Sequence, residues 1–328
     1  MASRGKGKFV LDSIQMKIKK QNNGAALLSE EGHVETMDAT ELLEFSNQLK
    51  EFVLDNAGSF AERPLKQVSF RGKTFNVEVT DKLWFWEELE SGKWESDTFD
   101  VFDNHLTAET VFLDIGGWIG STALYASQSV KKAYVFEPDE VAFAELTANL
   151  NQNESADWYQ HTTAVKAAIA PESGSVNLGF RSESGDSMSS VLLGDSEGST
   201  EVQSVNLSDF ILERQLSDEK LFIKMDVEGF EYEILPALSE TIQSLEKASF
   251  LISLHPQFLL EKLGTEIPAG KLKTSLIRKA FFEKHQALLK AFKGYKCAFI
   301  NGKPFKPGKE LTKALITGQF SRDLVFTR

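Results

Sequence analysis

Cysteine is almost missing from this sequence, which has Cys297 alone among 328 residues. One thiol forms neither an internal disulfide nor a thiolate metal cluster, so the composition permits a reducing compartment. Long apolar runs are missing too. No stretch approaches the ~20 residues that cross a bilayer, and no apolar run of signal-peptide length follows the lysine-rich N-terminus. We therefore expect a soluble, non-secreted, cytoplasmic protein without a membrane span.

Positive charge is scarce overall, and the net charge is −12. A chain of this charge is not expected to bind nucleic acid nonspecifically. The distribution is uneven, because residues 261–328 contain 15 Lys and Arg against 5 Asp and Glu. Two interpretations of this basic segment stay open: a solvated helix face, or a basic wall beside an anionic substrate.

Residues 1–100 are expected to form an N-terminal arm followed by an α+β cap. Apolar residues at helical spacing predict a helix over 42–53. Alternating residues at 67–70 and 74–80, on either side of Arg71-Gly72-Lys73, predict a β-hairpin. A short aromatic helix is expected at 83–86.

From residue 110 onward, short apolar strands alternate with helical segments. The predicted strands cover 111–115, 132–136, 161–170, 202–207, 221–225, 248–254, 296–300 and 323–326. Such alternation indicates parallel βαβ units, so residues 101–328 are expected to fold as a Rossmann-like, doubly wound α/β domain with a mostly parallel sheet. The Ser/Gly/Asp/Glu-rich segment 181–201 interrupts the pattern and is interpreted as a surface loop or a lid.

The stretch VFLDIGGWIG at 111–120 predicts a buried strand, a tight turn and the start of a helix, an arrangement that binds nucleotide-like ligands. A dinucleotide site would need glycine at positions 118 and 121, where the chain has Trp118 and Ser121. A phosphate loop would need a following Gly-Lys-Ser/Thr, which is also missing. The turn is therefore poorly suited to a pyrophosphate. This disfavours a nicotinamide-dependent oxidoreductase without removing that alternative.

Two acids at consecutive strand ends fit a ligand that carries a ribose and an amino acid. Asp114, beside the turn, can order a water or bind an ammonium group, and Gly116 and Gly117 allow close backbone approach. Glu137 ends the second strand, where its two oxygens can bind both ribose hydroxyls, before Pro138 turns the chain into a helix. This is the arrangement of an S-adenosylmethionine site. The predicted cofactor residues are Asp114, Gly116, Gly117, Gly120, Glu137 and Pro138.

The stretch KMDVEG at 224–229 follows another apolar strand, so its acids should face the same crevice as the glycine turn. Asp226 and Glu228 are candidates to share a proton or a divalent cation, with Mg²⁺ as the expected ion. His255, at the end of the next strand, is a candidate general base, as is Asp226; a hydrogen-bonded structural histidine is the alternative. Glu231 and Glu233 are interpreted as a solvated helix face.

The motifs DIGGWIG, FEPD and KMDVEGFE, followed by LISLHP and the closing DLVFTR, resemble the FkbM-type methyltransferases. The resemblance covers about Trp94 to the C-terminus, and Trp94-Glu95 is similar to one bacterial-type subgroup. It implies a Rossmann-like fold of the class I methyltransferase type and S-adenosylmethionine as cofactor. It also implies O-methylation of a hydroxyl group on a sugar or natural product.

We therefore expect an S-adenosylmethionine-dependent O-methyltransferase whose acceptor is a carbohydrate or small molecule, with an anionic acceptor among the alternatives. Two rival hypotheses are the oxidoreductase and a non-catalytic, cofactor-binding homologue. The sequence permits a monomer or an oligomer.

Overall fold

The computed structural model describes residues 26–28, 34–36, 63–180, 184–185, 189–193, 199–306 and 322–328. The chain divides into two compact units, Met1–Pro64 and Leu65–Arg328. In the first unit, strands β1 (Ala26–Leu28) and β2 (Val34–Thr36) pair antiparallel. The helix predicted over 42–53 lies outside the described residues.

The second unit contains both strands and helices. Its strands are β3 (Leu65–Phe70), β4 (Lys73–Glu78), β5 (Thr110–Ile115), β6 (Lys132–Phe136), β7 (Thr162–Val165), β8 (Ala168–Ile169), β9 (Gly174–Leu178), β10 (Thr200–Val205), β11 (Lys220–Met225), β12 (Ala248–Ser253), β13 (Lys296–Phe299) and β14 (Asp323–Thr327). Its helices are α1 (Leu83–Glu90), α2 (Ser96–His105), α3 (Ser121–Ala126), α4 (Glu140–Asn151), α5 (Leu207–Glu213), α6 (Glu231–Ala237), α7 (Ser239–Ser244), α8 (Pro256–Glu266) and α9 (Lys273–Ala291). Within the described residues, no helix combines the length and apolar character needed to cross a membrane.

The central sheet has seven strands among the described residues, in the order β13-β14-β12-β11-β5-β6-β7. The five strands from β12 to β7 run parallel, and β14 is antiparallel to both of its neighbours. The prediction of a Rossmann-like, mostly parallel α/β sheet is confirmed. This topology brings the carboxyl ends of β5, β6, β11 and β12 to one edge of the sheet.

The two faces of the sheet carry separate apolar cores, because successive side chains of a strand point to opposite faces. In β5, Val111, Leu113 and Ile115 enter the core that also contains residues of α5 to α9. Phe112 enters the other core, with the β3–β4 hairpin and residues of α1 to α4. The predicted hairpin and aromatic helix therefore cover one face of the sheet. The domain boundary near residue 100 stays a prediction.

The predicted strands at 161–170 and 202–207 differ from the observed ones. Only β7 joins the central sheet, whereas β10 pairs with β8 on one side and β9 on the other in a separate three-stranded sheet. Strand β9, with the sequence GSVNL, was not predicted: only Val176 and Leu178 are apolar, and four of its five residues are not buried. Tertiary pairing with β10, rather than local pattern, gives this segment its structure.

His285 on α9 is fully buried, and neither of its ring nitrogens has a hydrogen-bond partner among the described residues. Its ring stacks on Phe281 and lies 6.0 Å from the ring of Tyr232. Burial lowers the pKa of His285 to about 4. The folded protein therefore keeps this imidazole neutral at pH values where the unfolded chain protonates it.

We predict that His285 weakens the folded state as the pH falls from about 6.5 to 4, because only the unfolded chain gains the proton in this window. The contribution amounts to about 2–3 kcal/mol. In His285→Leu this acid-dependent loss should disappear, as measured by urea unfolding at pH 7 and pH 4.5. The surface histidine of His161→Leu serves as the control. Equal losses in the parent and in His285→Leu would contradict the prediction.

Candidate active site

One cavity lies at the carboxyl ends of β5, β6, β11 and β12. Most of the predicted site residues line it together: Gly116, Gly117, Glu137, Pro138, Asp226, Glu228 and His255. Asp114 and Gly120 are not among the described residues that line it. The parallel sheet thus brings four separate stretches of sequence to one place.

Below the cavity, Lys224 forms a buried ion pair with Asp114. The two residues are partners in the β5–β11 register, two residues beyond Phe112 and Phe222 and on the same sheet face. The Lys224 Nζ atom lies 3.2 Å from Asp114 Oδ1 and donates to the Gly116 carbonyl oxygen at 3.0 Å. Burial lowers the pKa of Lys224, but Asp114, Asp226 and Glu95 together outweigh this effect, so the net pKa is raised. The lysine therefore stays charged and joins strand β11 to the glycine turn.

The position of Asp114 differs from the one expected. Its carboxylate is 0% exposed, and its second oxygen accepts from the Thr122 hydroxyl at 2.5 Å. Burial raises the pKa of Asp114 against the opposing effect of Lys224. This acid contacts the chain itself instead of the cavity, so the geometry fits a positioning residue beneath the turn.

The glycines of the turn allow the backbone to pack closely against neighbouring strands of the chain, rather than against a ligand as expected. Gly116 has φ +83°, and a Cβ atom there would lie 1.9 Å from the Asp226 carbonyl oxygen. A Cβ at Gly117 would lie 2.3 Å from Val135 Cγ1. A side chain at either position would separate the turn from β11 or β6. The glycines therefore bring the strand ends together, and the cavity forms above them.

Glu137 is almost fully buried and closes the other side of the turn. Its Oε2 accepts from the Trp118 backbone N–H at 2.8 Å, and its Oε1 accepts from the Asp139 N–H at 2.9 Å. Trp118 adopts φ +45° to make this contact, and its ring packs on Phe85. Burial raises the pKa of Glu137 to about 8, against the two amide donors. Each carboxylate oxygen retains a second lone pair for a ligand.

Asp226, Glu228 and His255 form a polar cluster after β11 and β12, on the other side of β5 from Glu137. His255 Nε2 lies 3.6 Å from Asp226 Oδ1 and 3.5 Å from Glu228 Oε2. Burial lowers the pKa of His255, but Glu231, Asp226 and Glu228 outweigh it and raise the pKa to about 9. Burial also raises the pKa of Glu228 to about 7, against the effect of His255.

Glu231 was expected on a solvated helix face, and that expectation is wrong. The carboxylate is 0% exposed, accepts from the Gly229 N–H at 2.8 Å, and also accepts from the His255 backbone N–H. Its Oε1 is 3.5 Å from His255 Nδ1. Glu231 therefore connects the loops that follow β11 and β12. The sequence could not predict this burial, because Glu231 and Glu233 lie in the same first turn of α6 and no local pattern distinguishes a buried acid from an exposed one.

Glu95 lines the cavity and was noted in the sequence only through a resemblance. Glu95, Trp118 and Glu228 all adopt left-handed backbone conformations, with φ of 40°, 45° and 50°. Such conformations are costly for residues other than glycine and cluster at functional sites. All three line the cavity. Burial raises the pKa of Glu95. The charge of Asp226 raises it further, and the charge of Lys224 opposes the rise.

The family profile described as "Methyltransferase FkbM domain" matches residues 114–296. This range contains the glycine turn, Glu137 and the cluster of Asp226, Glu228 and His255. The chain belongs to the FkbM methyltransferase family. The resemblance of its motifs to that family is confirmed. This membership implies S-adenosylmethionine as cofactor, and it displaces the oxidoreductase hypothesis.

Individual relatives of this FkbM-family methyltransferase are distant. The hexuronic acid methyltransferase AglP of Haloferax volcanii is 21% identical over 198 residues, which cover 60% of this chain and 77% of that protein. The methyltransferase FkbM structure from Methylobacillus flagellatus KT has a TM-score of 0.39 and 16% identity over 67% of this chain and 44% of that chain. A SAM-dependent methyltransferase from Agrobacterium tumefaciens has a TM-score of 0.34 and 13% identity over 80% of this chain and 69% of that chain.

We predict that Lys224→Met strongly destabilises the fold, because it leaves Asp114 buried without its cation. Breaking a buried ion pair costs about 3–5 kcal/mol. The free energy of unfolding in urea should fall by this amount, and the double variant Asp114→Asn/Lys224→Met should lose less than the two single variants together.

Lys220→Met, on the same strand but only partly buried, is the matched control and should cost less than about 1 kcal/mol. An equal, small loss for Lys224→Met and Lys220→Met would show that the buried pair does not hold the turn.

Proposed function

We propose that this FkbM-family methyltransferase transfers the methyl group of S-adenosylmethionine to a hydroxyl oxygen of a carbohydrate acceptor. The observation that carries the proposal is that Glu137 and the Asp226–His255 cluster line one cavity from opposite sides of β5. The first suits a ribose, and the second suits proton transfer from a hydroxyl group.

The cofactor's nucleoside fits the side of the cavity formed by the ends of β6 and β7. Glu137 would accept hydrogen bonds from the ribose hydroxyls through its remaining lone pairs. Beside it, Ala167, Ala168 and Ile169 are buried and line the cavity with Pro138, which gives an apolar surface for a flat base. Van der Waals contact and burial of the base would supply affinity there.

The amino-acid end of the cofactor, which carries an ammonium group, fits the side of the cavity where carboxylates outnumber cations. Glu95 and Asp226 line this side, while Lys224 is already paired with Asp114. An ammonium group would find acceptors in these carboxylates. Asp114 then contributes indirectly, because with Lys224 it fixes the Gly116 carbonyl that borders the same space.

When bound, S-adenosylmethionine supplies an electrophilic methyl group. The chain's residues align the acceptor oxygen and remove its proton, and alignment of two bound reactants is a large part of such catalysis. We place the proton acceptor at Asp226, which lines the cavity beside His255.

A carbohydrate acceptor is supported by the relative that acts on a hexuronic acid. The wall around Asp226 and Glu228 is acidic, which favours a neutral hydroxyl over the carboxylate of a uronic acid. Among the described basic residues beyond 261, Arg322 lines the cavity. The cytoplasmic location and the oligomeric state stay predictions.

We predict that the protein binds S-adenosylhomocysteine and that Glu137→Gln weakens this binding at least about tenfold, because the amide keeps only one acceptor oxygen and its NH₂ group cannot accept from a ribose hydroxyl. Isothermal titration calorimetry measures the affinity. Glu140→Gln, three residues later and ion-paired with Lys166 on the surface, is the matched control and should bind like the parent. Failure of the parent to bind S-adenosylhomocysteine would refute the cofactor assignment.

We predict that methyl transfer from labelled S-adenosylmethionine to a panel of neutral sugars and uronic acids gives a product stable to mild alkali. A methyl ether on a hydroxyl oxygen survives this treatment, whereas a methyl ester on a carboxylate is hydrolysed. Loss of all label in alkali would contradict hydroxyl methylation. Cofactor binding without transfer to any acceptor would favour the non-catalytic hypothesis.

A further inference from the structure

Three side chains on the cavity wall offer one ligand atom each within a small space. The oxygen of Asp226, the oxygen of Glu228 and the nitrogen of His255 all lie within 4.8 Å of one another. His255 Nε2 is 3.5 Å from the Glu228 oxygen and 3.6 Å from the Asp226 oxygen. Both distances are too long for a good hydrogen bond. Ligand atoms bound tetrahedrally to one ion at about 2.1 Å lie roughly 3.4 Å apart. The two distances from His255 Nε2 are close to this spacing.

The imidazole that would donate Nε2 is fixed from behind. His255 is 8% exposed, and its Nδ1 faces the fully buried Glu231 carboxylate at 3.5 Å. Glu231 is itself fixed by the backbone N–H groups of Gly229 and His255. A metal-binding histidine usually has such a carboxylate on its other nitrogen, which orients the ring. This buried, oriented side chain is a second observation, independent of the acidic pair.

Glu228 is placed by strained backbone. Its φ is +50°, and the following Gly229 has φ +100° with Phe258 so close that a Cβ atom would lie 2.6 Å from it. The Ser190 hydroxyl donates to the Glu228 carbonyl oxygen at 2.7 Å. Strain of this kind persists where surrounding contacts fix a functional geometry. Here the result is that Glu228 reaches the same space as Asp226.

We propose that Asp226, Glu228 and His255 bind one divalent cation, with Glu231 as the carboxylate that orients His255. The proposal rests on the proposed function and deepens it, since the cation would lie where the acceptor hydroxyl is activated. Three carboxylates around one imidazole suit a doubly charged ion. Mixed carboxylate and imidazole donors favour Mn²⁺ or another transition metal over the Mg²⁺ expected from the acids alone.

The ion gives the cluster a defined part in methyl transfer. A hydroxyl oxygen on the cation loses its proton more readily. The acceptor O–H bond would break and the new O–CH₃ bond would form, while the S–CH₃ bond of S-adenosylmethionine would break and leave its electron pair on the sulfur of S-adenosylhomocysteine. The proton passes to a carboxylate oxygen of Asp226 that is not on the ion. His255 then acts as a ligand rather than as the base.

Titration of the untagged, EDTA-treated and desalted full chain with Mn²⁺, followed by electron paramagnetic resonance, tests the site directly. We expect one saturable Mn²⁺ per chain. Asp226→Asn, Glu228→Gln and His255→Gln should each weaken binding at least tenfold, and Glu231→Gln should weaken it less. Glu233→Gln, an acid on the same helix as Glu231 that is paired with Lys284, is the matched control and should bind like the parent.

Far-ultraviolet circular dichroism shows whether each variant is folded. Binding of S-adenosylhomocysteine by the parent, measured on the same samples, separates the two proposals. A parent that binds S-adenosylhomocysteine but no saturable Mn²⁺ overturns the cation site alone. Unchanged Mn²⁺ affinity in both His255→Gln and Glu228→Gln also overturns it. A parent that binds Mn²⁺ but no S-adenosylhomocysteine overturns the cofactor assignment and leaves the cation site standing.

Discussion

The ion pair of Lys224 with Asp114 is the interaction on which the site depends. It joins two neighbouring parallel strands at their carboxyl ends, and the same lysine ammonium fixes the carbonyl of Gly116. Both charges are buried, so each is stable only with the other. The consequence is a rigid turn against β11, with Asp226 brought directly above it.

The cavity has two halves, one on each side of the turn that this ion pair holds in place. The half on β6 contains Glu137, whose carboxylate is oriented by backbone amides and points to the space a nucleoside would fill. The half on β11 and β12 contains Asp226, Glu228 and His255, which Glu231 holds together across two loops. The proposed nucleoside site and the reacting acids are thus separated by strand position, and the glycine turn lies between them. This division is what a transfer reaction between two bound molecules requires.

Much of this arrangement could be predicted from the sequence, because strand ends carry local signals. Apolar runs that end in Asp114, Glu137 and Asp226 gave the parallel sheet and the shared edge. The pairing of Asp114 with Lys224 depends on the register between β5 and β11, which are far apart in the sequence, so it could not be predicted locally. For this reason Asp114 was expected to contact a ligand, whereas in the structure it forms an ion pair within the chain. Glu231 was missed for the same reason, since its burial depends on a loop 24 residues away.

The central claim is that the glycine turn and Glu137 form a nucleoside site beside the reacting acids. The most direct test is a crystal structure of the protein with S-adenosylhomocysteine. The account predicts the ribose hydroxyls on Glu137, the adenine beside Pro138 and Ala168, and the amino-acid end next to Gly116 and Asp226. A bound nucleoside that does not touch Glu137, or that lies outside this cavity, would contradict it.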